Sequence, residues 1–249
     1  MRMRFKPYAR PELLASPLHA HDPMANRGHW HEVFARPGQP LHLELGCGKG
    51  GFLSQLASRH PENNYLGIDI TDKVLILAKR KLEAAYAEAG IPADNVQIMS
   101  LDIERILNAF APEDTVDRIY INFCNPWDKK AGHRKHRLTH TRQLALYRKF
   151  LAPGAEIWFK TDDDGLFEDS LTYFEEAGFQ VRWMTRDLHA DEPDWNIRTE
   201  HEAMFTGMGI PTKALIAVMQ PADEEQVARA AEARVAVEKN LGRAMHGEG

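Results

Sequence analysis

Several residues of this chain have types and spacing that could do chemistry on a nucleoside-like ligand. Glu44 precedes a glycine-rich string, Gly46-Cys47-Gly48-Lys49-Gly50-Gly51. Glycines there permit a tight turn and a close approach of backbone to ligand. Asp69 follows about 20 residues later, where an acid accepts hydrogen bonds from ribose hydroxyls in nucleotide-binding folds. Its competing role is to cap a helix starting at Thr71. Asp102 comes next, placed to meet an adenine amino group. Glu44 ends an apolar run, where a carboxylate is costly unless it faces something polar; a ligand's amino group would suit it. The string fits both G-x-G-x-G and G-x-G-x-x-G. Alone it does not separate S-adenosylmethionine from a dinucleotide, or either from a glycine turn with no ligand. It lacks the Gly-Lys-Ser/Thr of a P-loop.

A second group begins at Asn125-Pro126-Trp127. A polar side chain, a stiff proline and a flat aromatic could grip a planar base; the alternative is that Trp127 only covers a core edge. Eight Lys or Arg follow from Lys129 to Lys149 with no Asp or Glu, in a chain of net charge -5. Their density and place favour phosphate binding over a plain solvated face, with Lys129, Arg134 and Arg137 as contacts. His133, His136 and His140 invite a metal reading that their cationic neighbours oppose. Asp162-Asp163-Asp164 could hold a cation or cap a helix beginning near Gly165. Arg198-Thr199-Glu200-His201-Glu202 reads as a polar loop offering hydrogen-bond partners.

The elements that must position these groups alternate. Residues 41–45, 65–70, 96–101, 118–123, 155–160, 180–185 and 214–219 read as strands; 51–58, 71–89, 103–110, 138–151 and 165–178 have helical spacing. Such alternation is the pattern of βαβ units, a parallel sheet with helices on both faces. Ligands of such sheets bind at the carboxyl ends of the strands, where the acids, glycines and Asn125 fall. Residues 1–40, with six prolines, read as an extended arm, 41–221 as the main domain, and 222–249 as a helical extension.

The chain's 249 residues, 43% hydrophobic, suffice for one such domain. Apolar runs stay far short of the ~20 residues of a membrane span, no export signal is visible, and two cysteines point to a reducing cytoplasm. A pI near 6.2 argues against indiscriminate coating of nucleic acid while leaving room for a local basic patch.

Taken together, ELGCGKGGF, GID, LD at 101–102, NFCNPWDKKAGHRKHRLTH, FKTDDDGLFEDS and NIRTEHEAMFTGMGIP closely resemble the bacterial tRNA (guanine-N7-)-methyltransferases. The opening MRMRFKPYA is similar to the family's N-terminal arm, and the likeness stops short of residues 222–249. The resemblance implies an α/β class I methyltransferase fold, Rossmann-like: a doubly wound, mostly parallel seven-stranded sheet with the last strand antiparallel. It implies S-adenosyl-L-methionine as cofactor and methyl transfer to N7 of a guanine at position 46 of tRNA, in the variable loop. By motif, Glu44, Gly46, Gly48, Asp69, Asp102 and Asn125 would meet the cofactor, with Asn125 at the catalytic position. Lys129, Asp162, Thr199, Glu200, His201 and Glu202 would meet the tRNA. No metal and no membrane are expected, and both monomer and homodimer stay open.

Two positions depart from the family pattern. Its Ser/Pro-Asp-Pro-Trp-Pro-Lys reads Cys124-Asn125-Pro126-Trp127-Asp128-Lys129, and its Thr-Glu-Tyr-Glu reads Thr199-Glu200-His201-Glu202. The rivals are an adenine exocyclic-amine methyltransferase, whose fourth strand ends in Asn/Asp-Pro-Pro-aromatic, and a tRNA-binding homologue with weakened catalysis at Asn125. Nothing at the strand ends resembles a hydride-transfer site, which disfavours a dinucleotide oxidoreductase.

Overall fold

The computed structural model describes residues 7–245; residues 1–6 of the opening MRMRFKPYA and residues 246–249 lie outside them. Seven strands, β1 Leu41–Leu45, β2 Asn64–Asp69, β3 Val96–Ser100, β4 Val116–Asn122, β5 Leu151–Thr161, β6 Phe179–Thr185 and β7 Lys213–Met219, form one sheet in the order β3-β2-β1-β4-β5-β7-β6. The pairs from β3 to β5 are parallel, and β7 runs antiparallel to both β5 and β6, as expected for the last strand. The strand order reverses between β1 and β4, the switch point where open α/β sheets leave a crevice.

The helices are α1 Ala9–Leu14, α2 Gly51–Arg59, α3 Asp72–Ala89, α4 Thr141–Tyr147, α5 Asp164–Glu176, α6 Glu200–Gly207 and α7 Glu224–Met245. Two cores separate the layers. Tyr65 of β2 packs with Phe52, Leu56 and Leu75 of α2 and α3, while its neighbours Leu66 and Ile68 pack with Leu144, Tyr147 and Phe167 of α4 and α5. The alternation follows from the strand period of two, and burial on both faces explains why β1 is apolar except for His42 and Glu44. No helix is long and apolar enough to cross a membrane among the described residues.

Three regions differ from the sequence expectation. The helix expected over 138–151 shortens to α4: the His140 ring caps it by accepting the Arg142 N–H at 3.0 Å, and β5 already begins at Leu151. The helix expected over 103–110 is a 3-10 segment over Ile103–Asn108, entered under an Asp102 cap. The third region is the segment expected as an extended arm. It carries α1 and a 3-10 turn at Trp30–Val33, and Ala20 and Leu18 pair with Ile98 on the β3 edge. Trp30 is fully buried, its indole N–H donating to Ala109 O at 2.7 Å. Asp114 fastens the same region by accepting backbone N–H groups of Gly28, Trp30 and Ala111. A buried carboxylate with three donors is satisfied, which is how a proline-rich segment becomes part of the core.

Candidate active site

The glycine string forms the turn from β1 into α2. Gly46, Gly48 and Gly50 all have positive φ, at 77°, 53° and 72°. The Gly46 and Cys47 N–H groups both donate to Ile68 O, at 2.8 and 2.9 Å, so the turn is tied to the end of β2. At Gly50 an added Cβ would lie 2.8 Å from Ala78 of α3, so glycine there lets α2 and α3 close together. The turn, Glu44, Asp69, Asn122, Phe123, Thr199, Glu200 and His201 line one cleft of about 280 Å³ at the carboxyl ends of β1, β2 and β4.

Glu44 is the most informative side chain in this cleft. It is 3% exposed; Oε1 accepts from Asn122 Nδ2 at 3.2 Å, while Oε2 is buried without a partner. Desolvation pushes its carboxyl up to about 8, against smaller lowering by the Asn122 bond and the Lys160 charge. An orphaned carboxylate oxygen at a strand end fits a ligand ammonium, as in the amino-acid part of S-adenosylmethionine. Asp69, half-buried, accepts from Gly48 N at 3.1 Å and Thr71 N at 3.3 Å; burial raises its carboxyl despite those bonds. Through these bonds it steadies both the glycine turn and the entry to α3. Asp102 lies outside the cleft lining, and its Oδ1 caps the following 3-10 segment through Glu104 N at 3.1 Å.

After β4 the backbone is strained. Phe123 and Trp127 are non-glycine residues in the left-handed region, with φ of 51° and 47°, on either side of Asn125-Pro126. Asn125 is exposed, and its Oδ1 accepts the Trp127 N–H at 3.0 Å, which leaves the amide N–H₂ as its free chemistry. Trp127 does not cover the core: it is 39% exposed and packs on the rings of His133 and His136. Phe123 stacks on His201 at 5.9 Å with an interplanar angle of 19°, so the imidazole serves there as a flat ring at the cleft.

The residues at 199–202 are not a loop. Thr199 caps α6, its Oγ1 accepting Glu202 N at 2.9 Å while Glu202 accepts Thr199 N at 3.2 Å. The Thr-x-x-Glu spacing is a capping box, a signal present in the sequence. Glu202 is fully buried and also accepts from Lys160 Nζ at 2.6 Å and Asn196 Nδ2 at 2.7 Å, so its carboxylate serves the fold and faces no substrate. Lys160 gives its other two hydrogens to Asn196 and Ile197 O, although burial pulls its ammonium down. Asn122 and Lys160 are site residues that sequence reasoning missed; each is a polar residue at the end of a buried strand. Glu200 pairs with Lys81 of α3, bringing α6 over the cleft.

Among the three consecutive acids, Asp163 caps α5 through Leu166 N at 2.6 Å and Asp164 pairs with Lys213 at 2.7 Å. Asp162 and Lys129 have side chains with no hydrogen bond or ion pair among the described residues. Arg134 pairs with Asp169 at 3.0 Å and is partly exposed. Arg137 departs from expectation: it is 2% exposed, donating to Asp169 Oδ2 at 2.6 Å, Pro126 O at 2.6 Å and Tyr173 Oη at 3.3 Å. Its Nε and Nη1 donors are used inside the fold and the side chain is almost wholly buried, which takes it off the phosphate-facing surface. His133 and His136 lie ring to ring beside Trp127, with His136 also on Glu104, while His140 lies apart in the interior. A different set, His189, Glu192 and Glu202, brings donor atoms within 4.8 Å, but Lys160 and Arg198 already neutralise its carboxylates.

A larger hollow of about 450 Å³ lies on the sheet face by His42, Tyr120 and Trp158 and shares Phe52 and Asn122 with the cleft. The smaller cleft is the candidate site because the glycine turn, Glu44 and Asp69 open into it and not into the larger hollow.

Comparison with known proteins agrees. The family described as "Putative methyltransferase" matches residues 38–215. The tRNA (guanine-N(7)-)-methyltransferase of Ruminiclostridium cellulolyticum is 54% identical over 218 residues, 87% of this chain and 92% of that protein. That of Acetivibrio thermocellus is 48% identical over 87% of this chain and 99% of its own length. The fold is shared with the 16S rRNA (adenine(1408)-N(1))-methyltransferase of Catenulisporales acidiphilia, solved with cosubstrate SAM, at TM-score 0.51 and 18% identity over 81% of this chain and 93% of that one. A cleft with an unpaired carboxylate, on a sheet of this order and in a chain half identical to these enzymes, leaves one assignment: the chain belongs to the tRNA (guanine-N(7)-)-methyltransferase family.

Proposed function

We propose that this protein methylates N7 of a guanine in the variable loop of tRNA, position 46 of the tRNA, using S-adenosyl-L-methionine, and that it works in the cytoplasm. The observation that carries the reading is the orphaned Glu44 carboxylate oxygen beside the glycine turn, with Phe123-His201 and the Asn125 turn at the same strand ends. When bound, the cofactor supplies an electrophilic sulfonium methyl. Glu44 holds its ammonium, Gly46 and Gly48 let the backbone approach it, and Asp69 accepts from ribose hydroxyls. Asp102 takes the adenine end.

Guanine N7 already presents a lone pair and carries no proton at neutral pH, so the chain needs neither a general base nor a metal. Its task is alignment, where proximity supplies most of the rate. Asn125 keeps two amide hydrogens free, and these match the O6 acceptor beside N7. Asp162, without a partner of its own, can accept from the guanine's amino edge. Thr199, Glu200 and His201 border the methyl-donor cleft from α6, and Glu202 keeps that border in place. Lys129, with partly exposed Arg134, supplies charge to tRNA phosphates.

The test incubates purified protein with unmodified tRNA and labelled S-adenosylmethionine, followed by digestion to nucleosides. N7-methylguanosine supports the reading. N6-methyladenosine supports the exocyclic-amine rival, and tRNA binding without label transfer supports a silent binder.

A further inference from the structure

The helix α7 lies beyond the family-matched residues 38–215 and packs on α4 and on the 131–136 turn. It is rich in charge and mostly exposed, yet Glu238 on it is 3% exposed. A carboxylate so buried is costly unless its lone pairs are used. Both oxygens are: Tyr173 Oη donates to Oε1 at 2.6 Å, and His140 Nε2 lies 3.2 Å from Oε2. His140 Nδ1 accepts the Arg142 N–H, so the ring proton sits on Nε2 and points at Glu238.

From Tyr173 the chain of bonds continues. Its Oη accepts from Arg137 Nη1 at 3.3 Å, and Arg137 Nε donates to Pro126 O at 2.6 Å. Pro126 is the middle of the turn whose flanks, Phe123 and Trp127, hold positive φ. Such strain persists only where the surroundings fix it. Neighbouring positions on the same helix face strengthen the attachment. Arg234, one turn before Glu238, pairs with Glu176 and lies over the Tyr173 ring; Gly242, one turn after, abuts Gly132 of the basic turn.

We propose that Glu238 is a positioning residue for methyl transfer, acting through Tyr173 and Arg137 to fix the Pro126 carbonyl and thereby the Asn125-Pro126-Trp127 turn. The proposal rests on the reading that this turn meets the guanine. It makes α7 a strut for the reacting end of the molecule rather than a passive cover of the sheet, and it leaves the cofactor end, built on β1 and β2, independent of α7.

The test uses the full chain with Glu238→Gln, Glu238→Asp and Tyr173→Phe, the last removing a single oxygen should the first fail to fold. Two readouts are taken at temperatures where each variant is folded: kcat and Kd for S-adenosylmethionine, and hydrogen exchange across residues 123–137. The expected result for Glu238→Gln and Tyr173→Phe is kcat lowered about tenfold or more with cofactor Kd within about twofold, and faster exchange in 123–137. Glu238→Asp is expected to recover part of both. Unchanged exchange in that segment, or kcat and cofactor affinity falling in parallel with thermal stability, would overturn the proposal. The exchange arm needs no activity, so a wild-type protein that methylates no guanine would sink the functional reading while the strut is still decided by exchange.

Discussion

The basic segment from Lys129 to Lys149 divides into two regions of opposite character. In the front half Lys129, Lys130 and Lys135 are exposed and make no ion pair among the described residues. In the rear half Arg137 and Arg148 are 2% and 7% exposed. Arg137 is spent on Asp169, Pro126 and Tyr173, and Arg148 on Glu224 and the carbonyls of Ala177, Gly178 and Gln220. One run of charge therefore does two jobs: its exposed lysines are free for phosphates, while Arg137 and Arg148 are internal framework. The difference lies in acceptors supplied from far along the chain, such as Glu224, 76 residues beyond Arg148.

The sharpest way to break this division is Arg137→Ala. Removing one partner of a buried ion pair is expected to cost about 3–5 kcal/mol, read by denaturant unfolding. A cost below about 1 kcal/mol together with weakened tRNA binding would return Arg137 to the phosphate-contact set.

Glu44, a buried carboxyl with no ion pair, contrasts with the paired Arg137. Glu44→Gln is expected to weaken cofactor binding by about 2 kcal/mol, by calorimetry, with little loss of stability. The sign of its pH dependence follows from the raised carboxyl. Burial keeps the proton on the folded chain between 4.5 and about 8, while the unfolded chain releases it. The ligand-free protein accordingly loses stability as pH rises through that window. Cofactor affinity moves the other way, climbing by at most about tenfold per pH unit toward 8 because an ammonium needs the carboxylate ionised. Glu44→Gln should flatten both slopes; unchanged slopes would remove Glu44 from the cofactor site.

Neutralising Lys129, Lys130 and Lys135 together tests the front half. Stability should stay within about 0.5 kcal/mol, while tRNA affinity falls about tenfold and the salt slope drops by about 2 to 3. A stability loss without change in the salt slope would erase the contrast with Arg137. The smallest expected effect is Asn125→Asp, where the rate is retained or raised by less than about tenfold. A large loss would mean that the site is built around the amide N–H₂, since an aspartate still accepts the Trp127 N–H.

Much of this was legible before the structure. The strands, the glycine turn and the acids at the strand ends follow from short-range pattern, because strand period and turn chemistry are local. What was hidden depends on distant partners. Arg137 reads like its neighbours until Asp169 and Tyr173 are placed around it, and a segment with six prolines reads as an arm until Trp30 finds Ala109. Asn122 and Lys160 gave no motif, since their roles lie in the orphaned Glu44 and in the 196–202 backbone they hold. Only α6 was missed despite a local signal, the Thr199-x-x-Glu202 capping box.

The central claim is that the chain aligns a guanine N7 lone pair with a sulfonium methyl and supplies no base. The most direct measurement compares methyl incorporation into unmodified tRNA and into the same tRNA carrying 7-deazaguanine at position 46. The account predicts one methyl group per unmodified tRNA, recovered as N7-methylguanosine, and none on the 7-deaza substrate, which still binds. Equal incorporation into both would contradict it.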